Sequence, residues 1–349
     1  MIRMSSLALV LFLASQSAEA QMDRVELSAH LEKSNRVPTL NPVLPCQVTP
    51  TLDFMEPKNE EPTREDLLSA AWFARAVQLP NEHRSTHWKQ LKTQPLSIHD
   101  IYAGPFGLHA TILEFESKAL VLYRGTQDPL DYILNATFFT SPGFVHGLPG
   151  WVHKGFLINF GLSWRSMNSK LKQLATQGKS VIFAAHSLGG VLSQYAAWRA
   201  ERQGVVVDKI FAFQSPNPGD EKFKAEFERH FAGRSSNLIF SDDITPHMPP
   251  ARVAVREFSD ATMKILAGAL SVIVRQAKYS PASERYRLES DGTVEHLHSL
   301  RLAEDEQSFW RSYRAKTRGP GFPRGLGPDS KFVADHNIEK VVCTLAKGL

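Results

Sequence analysis

Residues 181–184 form a short apolar run of β-forming side chains, and from Leu188 onward the apolar spacing becomes helical. Residues 179–198 therefore predict a fully buried strand, a tight turn and a helix. Residues 119–123 are likewise continuous and apolar, and Lys209 to Phe213 and Asn237 to Phe240 read as further buried strands. Residues 110–116 alternate instead, and the turn at Ser117 and Lys118 joins them to 119–123 as an outer strand hairpinned to an inner one. A helix is predicted from about 64 to 77, with Thr63 as a cap and acids in its first turn. Phe156, Phe160, Trp164, Leu171 and Leu174 recur at three- and four-residue spacing up to Gly178, the mark of a packed helix with a terminal glycine. Residues 285–294 read as a further hairpin and 302–316 as a helix.

Between these elements lie stretches of a different character. Residues 21–62 are broken by Asn35, Pro38, Asn41, Pro42, Pro45, Pro50 and Pro57 too often for long elements, and read as an arm that wraps the surface. Residues 127–150 are too apolar for an exposed loop, because Phe138, Phe139 and Phe144 need cover; they are either a movable flap or a fixed apolar loop. Residues 263–274 are apolar almost throughout but too short to span a bilayer. Residues 319–327 form a Gly/Pro loop.

The first twenty residues change the picture of where the chain works. Arg3 supplies a positive start, residues 7–14 an apolar run, and Ala18-Glu19-Ala20 a small-x-small site, which together predict a signal peptide cut after Ala20. A secreted or periplasmic protein is expected, and its two cysteines, Cys46 and Cys343, are expected to be bridged in an oxidising compartment. At 349 residues, with 42% hydrophobic and 22% charged residues, the chain has the make-up of a globular protein with one large core. The net charge of +4 is mild and its basic residues are scattered, which argues against nucleic acid as a partner.

Candidate chemistry centres on Ser187 in the turn after the 181–184 strand. Such a turn must thrust the hydroxyl clear of the sheet and tolerates only small residues two positions either side, where Ala185 and Gly189 stand. The helix that begins beside it aims free N–H groups and its positive dipole end at the place where an oxyanion would form. Ser187 is thus a candidate nucleophile.

At this point Ala185-His186-Ser187-Leu188-Gly189-Gly190 resembles the nucleophile elbow of the α/β-hydrolases, and of the class 3 (fungal-type) lipases in particular, with Ala185 where that family has glycine. Four further stretches are similar to family motifs in the right order. They are Arg124-Gly125-Thr126, Val152-His153-Lys154-Gly155-Phe156, the Ser215-to-Asp220 loop preceded by Gln214 at a family glycine, and the 241–250 segment with its adjacent acids Asp242 and Asp243. Asp335-His336 before the last helix completes the resemblance, which spans about 64–345. It implies an α/β-hydrolase fold with a mostly parallel central sheet and helices on both faces, in a domain running from 63 to 349. Residues 262–284 interrupt the family pattern and are expected to be a cap insertion or, alternatively, an interfacial anchor.

By the same resemblance Ser187, Asp243 and His336 are the catalytic residues, with Asp242 at the family's usual asparagine. His336 is the histidine beyond Asp243 whose neighbours match; His247 shares the acid's own loop, and His296 and His298 follow an edge hairpin. The N–H groups of Thr126 and Leu188 form the oxyanion hole, residues 127–150 take the place of the family's lid, and no metal or cofactor is required. The implied function is hydrolysis of carboxylic ester bonds of lipids, triacylglycerol or phospholipid acyl esters, through an acyl-enzyme. The partners are a lipid or ester substrate and, transiently, a lipid interface, with no transmembrane segment. A catalytically inactive lipid-binding protein on the same fold is the alternative.

Overall fold

The computed structural model describes residues 40–56, 61–102, 108–125, 139–257, 278–317, 331–347 and 349. Outside them lie the leader at 1–20, the first half of the arm, Thr126, residues 127–138 of the apolar stretch, most of the 262–284 insertion and the Gly/Pro loop.

The helices are α1 (Arg64–Ala76), α2 (Asn81–Lys89), α3 (Lys154–Thr176), α4 (Leu188–Glu201), α5 (Glu221–Phe231), α6 (Ser299–Thr317), α7 (Lys331–Ala334) and α8 (Ile338–Leu345). The strands are β1 (Ser97–Tyr102), β2 (Leu108–Glu114), β3 (Lys118–Tyr123), β4 (Thr140–Pro142), β5 (Trp151–His153), β6 (Ser180–His186), β7 (Val207–Phe213), β8 (Gly219–Asp220), β9 (Ser235–Phe240), β10 (Tyr279–Ser280), β11 (Glu284–Leu288) and β12 (Val294–Leu297). Thr63 starts α1 with a full capping box: its side chain accepts from the Asp66 N–H, and the Asp66 carboxylate accepts from the Thr63 N–H.

The central sheet runs β1-β2-β3-β6-β7-β9-β11-β12. The five strands from β3 to β11 are parallel, and antiparallel pairs close both edges. A strand buried on both faces is apolar along most of its length, and alternate residues then serve different layers. Ala119, Val121, Tyr123, Val181, Phe183 and Ala185 face one core, shared with α3, α4 and α5. Leu120, Leu122, Ile182 and Ala184 face the other, shared with α1 and α8. This is the mostly parallel sheet with helices on both faces that the resemblance implied.

Two features depart from the sequence reading. Residues 151–153 form a short strand before α3 begins at Lys154, and they belong to a second, four-stranded sheet ordered β10-β8-β5-β4. Its strands are two or three residues long, below any detectable alternation. The second half of the arm also does more than wrap: Phe54 and Met55 are buried in the α1/α8 core, with Leu40, Leu44, Val48 and Leu52 packed against it. Cys46 and Cys343 are bridged, tying this segment to α8 across a separation of 297 residues. Loop entropy alone assigns such a closure more than about 4 kcal/mol.

Candidate active site

Parallel α/β sheets present their chemistry beyond the carboxyl ends of the strands. β3, β6, β7 and β9 end there in Tyr123, His186, Phe213 and Phe240, and Thr126, Ser187, Gln214 and Asp243 follow them within three residues.

Ser187 follows β6 with φ 59° and ψ −133°, a left-handed conformation that a serine adopts at a cost of about 1–3 kcal/mol. The fold holds it there by a bond from the Ser187 N–H to the Phe213 carbonyl (2.8 Å) and one from the Gly190 N–H to the Ser187 carbonyl (2.9 Å). The small residues around it have steric reasons. A Cβ on Gly189 would lie 2.8 Å from the Tyr123 carbonyl oxygen and 3.2 Å from the Ala185 Cβ, and one on Gly190 would lie 2.6 Å from the Ser215 Cβ. Ala185 stands inside β6 and is absent from the described residues of positive φ, so its methyl group is accommodated without strain.

His336, in the link between α7 and α8, reaches both other sequence candidates. Its Nδ1 lies 2.9 Å from Asp243 Oδ2 and its Nε2 lies 2.9 Å from Ser187 Oγ. The carboxylate can only accept, so Nδ1 carries the proton and Nε2 is left as a base facing the serine hydroxyl. Asp243 is completely buried, and its other oxygen accepts from the Thr245 N–H at 2.9 Å. The adjacent acid points elsewhere: Asp242 pairs with Lys316 at 2.9 Å and with Lys331. Burial raises the Asp242 pKa, but the two ammonium groups outweigh it and the net shift is downward.

Leu188 is the first residue of α4, whose first-turn N–H groups have no acceptor within the helix. Thr126 lies outside the described residues. The preceding Gly125 abuts the elbow: a Cβ there would lie 3.0 Å from the His186 carbonyl oxygen and 3.5 Å from the Ser187 Cβ. Among the described residues no three His, Cys, Asp or Glu side chains gather as ligands for a metal ion.

The loop that carries Asp243 is anchored from beneath. Arg285 on β11 donates to Asn217 Oδ1 (2.9 Å) and to the Pro246 carbonyl (2.6 Å), and pairs with Glu306 of α6. His247 Nδ1 lies 3.2 Å from the same Glu306, and its ring stacks on Phe309. Burial pushes the Glu306 pKa up, but His247 and Arg285 more than reverse it and keep the carboxyl below its ordinary range. His153 caps α3 by accepting from the Phe156 N–H at 3.3 Å, and burial lowers its pKa to about 3.

Sequence reasoning gave no role to His186 and noted Gln214 only for standing where a glycine is usual. The two meet at 2.9 Å, with His186 stacked on His336 at a ring distance of 4.6 Å. The signal in the sequence was the replaced glycine itself, because Gln214 takes φ 53° and a non-glycine residue is held in that region only by its surroundings.

Residues 120–253 match the family described as Lipase (class 3). Among solved structures, the native lipase–propeptide complex of Rhizomucor miehei superposes with a TM-score of 0.52 at 17% identity, over 86% of this chain and 89% of that one. The MDLA protein of Penicillium cyclopium, crystallised as a mutant, superposes with a TM-score of 0.50 at 16% identity, over 70% and 89% of the two chains. At such identities the likeness is one of fold, and that fold is the α/β-hydrolase arrangement.

Proposed function

We propose that this chain, whose residues 120–253 match the class 3 lipase family, is an exported carboxylic ester hydrolase acting on lipid esters, a serine esterase using Ser187, His336 and Asp243. The observation that carries the reading is the continuous line of two 2.9 Å contacts from Ser187 Oγ through the His336 ring to Asp243. His336 Nε2 takes the hydroxyl proton as Ser187 Oγ attacks the ester carbonyl carbon. Asp243 holds the imidazole in the required tautomer and stabilises the imidazolium that forms. The N–H groups of Leu188 and Thr126 receive the oxyanion. Collapse expels the alcohol with the proton from His336 and leaves an acyl group on Ser187. Water, deprotonated by the same nitrogen, then releases the acid. Export rests on the leader read at residues 1–20, and the acyl esters of triacylglycerol or phospholipid are the substrates.

An acyl-enzyme mechanism makes a kinetic prediction. Mixing the protein with p-nitrophenyl butyrate is expected to give a burst of p-nitrophenol approaching one equivalent per active chain, provided deacylation is the slower step, and a phosphonate ester should remove burst and turnover together. Full turnover after stoichiometric phosphonylation would refute the mechanism.

Contact with a lipid surface is the second part of the proposal. Phe139, Phe144, Val145 and Trp151 are exposed on and beside β4 and β5, with Phe144 72% accessible. Large apolar side chains left in water are explained if they meet lipid during turnover. Hydrolysis of a short-chain ester followed through its solubility limit is expected to jump at the limit in the parent, and the jump should shrink severalfold in a Phe144→Ser, Trp151→Ser double variant. A smooth curve in the parent would exclude a role for these residues at the interface.

A further inference from the structure

Beneath the His336 ring a directed chain of hydrogen bonds runs from α1 to the backbone of the α7–α8 link. The Gln78 amide bonds the Ala74 carbonyl (3.2 Å) and faces His186 Nδ1 at 3.4 Å, His186 Nε2 lies 2.9 Å from Gln214 Oε1, and Gln214 Nε2 donates to the Asp335 carbonyl. Each direction follows from the next. The Asp335 carbonyl can only accept, so the Gln214 amide nitrogen faces it and the Gln214 oxygen faces His186. His186 must then carry its proton on Nε2 and leave Nδ1 bare for the Gln78 amide. The chain has a single consistent arrangement, and it demands a neutral His186.

The surroundings enforce the same state. His186 is buried, and burial, followed by the charge of the neighbouring His336, holds its imidazole well below the ordinary histidine range against the opposing Gln214 bond. The charged groups facing the pair are His336 stacked on His186, Asp243 beyond it, and the Asp335 carboxylate, which pairs with Lys340 and, at 3.7 Å, with Lys331. Gln214 itself is fully buried and tied to β9 by a bond from its N–H to the Leu238 carbonyl at 2.8 Å.

We propose that Gln214 is a positioning residue for the ester-hydrolysing site, holding the residue before His336 through the Asp335 carbonyl and fixing His186 as a neutral plate against the face of the His336 ring. The proposal rests on the reading of Ser187, His336 and Asp243 as the reacting groups. It explains why a non-glycine residue occupies a left-handed position where glycine would sit without strain: the side chain supplies two bonds that glycine lacks. A neutral plate matters because His336 becomes an imidazolium during the reaction, and a second positive ring in contact with it would oppose that charge.

The test separates positioning from packing with two variants. Gln214→Gly suits the backbone conformation, so its thermal midpoint is expected to equal or exceed the parent's, while kcat for a soluble p-nitrophenyl ester falls at least tenfold with KM within twofold. Gln214→Glu reproduces both bonds when protonated, since its O–H can donate to the Asp335 carbonyl and its second oxygen can accept from His186. Once ionised it faces that carbonyl with negative charge and draws a proton onto His186. The parent's kcat/KM is expected to rise with pH to a plateau, whereas Gln214→Glu should add an alkaline limb between roughly pH 6 and 9, where a buried carboxyl ionises. Parent-like kcat in Gln214→Gly, or a Gln214→Glu profile without an alkaline limb, would overturn the proposal. Its failure is distinct from that of the catalytic reading, which would show as Ser187-independent turnover in the parent.

Discussion

Ser187→Ala is expected to lower kcat for ester hydrolysis by about 10⁵–10⁶-fold, the scale on which a serine hydrolase loses its nucleophile. The thermal midpoint should stay close to the parent's. The Ser187 hydroxyl contacts the His336 ring at 2.9 Å, and the elbow is held by backbone bonds that alanine keeps. Alanine also needs no different φ, so the backbone strain at this position is unchanged. The measurement is steady-state hydrolysis of a p-nitrophenyl ester beside a thermal melt. A variant that retains even a tenth of parental kcat removes Ser187 from the mechanism, and one that loses both activity and fold shows the hydroxyl to be structural.

Asp243→Asn is expected to cost about 10⁴-fold in kcat near neutral pH, while Asp242→Asn costs less than about tenfold. The asymmetry follows from the bonds around each carboxylate. The Thr245 N–H donates to Asp243 Oδ1, so in the asparagine variant the amide oxygen stays on that donor and the NH₂ group is turned to His336. Two donors cannot share a bond, and the imidazole must move its proton to Nε2, where it can no longer take one from Ser187. Asp242 faces Lys316 and Lys331 at the surface, and its loss weakens an exposed pairing that is worth little. The reverse order of effects would move the reacting acid to Asp242.

Much of the fold is legible in the sequence. The predominantly apolar runs at 119–123, 181–184, 209–213 and 237–240 became the central parallel strands, because a strand covered on both faces is mostly apolar and admits a polar side chain such as Asn237 only where it finds a hydrogen-bond partner. The Thr63 cap and the recurring aromatics from Phe156 to Trp164 located α1 and α3, since helix starts and amphipathic stripes are written within a few residues. The turn chemistry at Ser187 was equally local: small neighbours, a strand before and a helix after. The motifs of the family resemblance then pointed to Asp243 and His336, which the structure brings within 2.9 Å of each other.

What only the tertiary structure decided are the relations between segments far apart in the chain. The second sheet is assembled from strands of two or three residues, too short to carry a period, and exists because backbone groups of 140–153, 219–220 and 279–280 meet. Asp242 and Asp243 are chemically identical neighbours, and it is the placement of Lys316 and Lys331 on one side and His336 on the other that gives them different surroundings. Gln214 looked like a lost glycine. Its bonds to His186, 28 residues away, and to Asp335, 121 residues away, form only when β6, β7 and the α7–α8 link converge, and no local pattern encodes a hydrogen bond whose partners are brought together by the closing of the whole sheet.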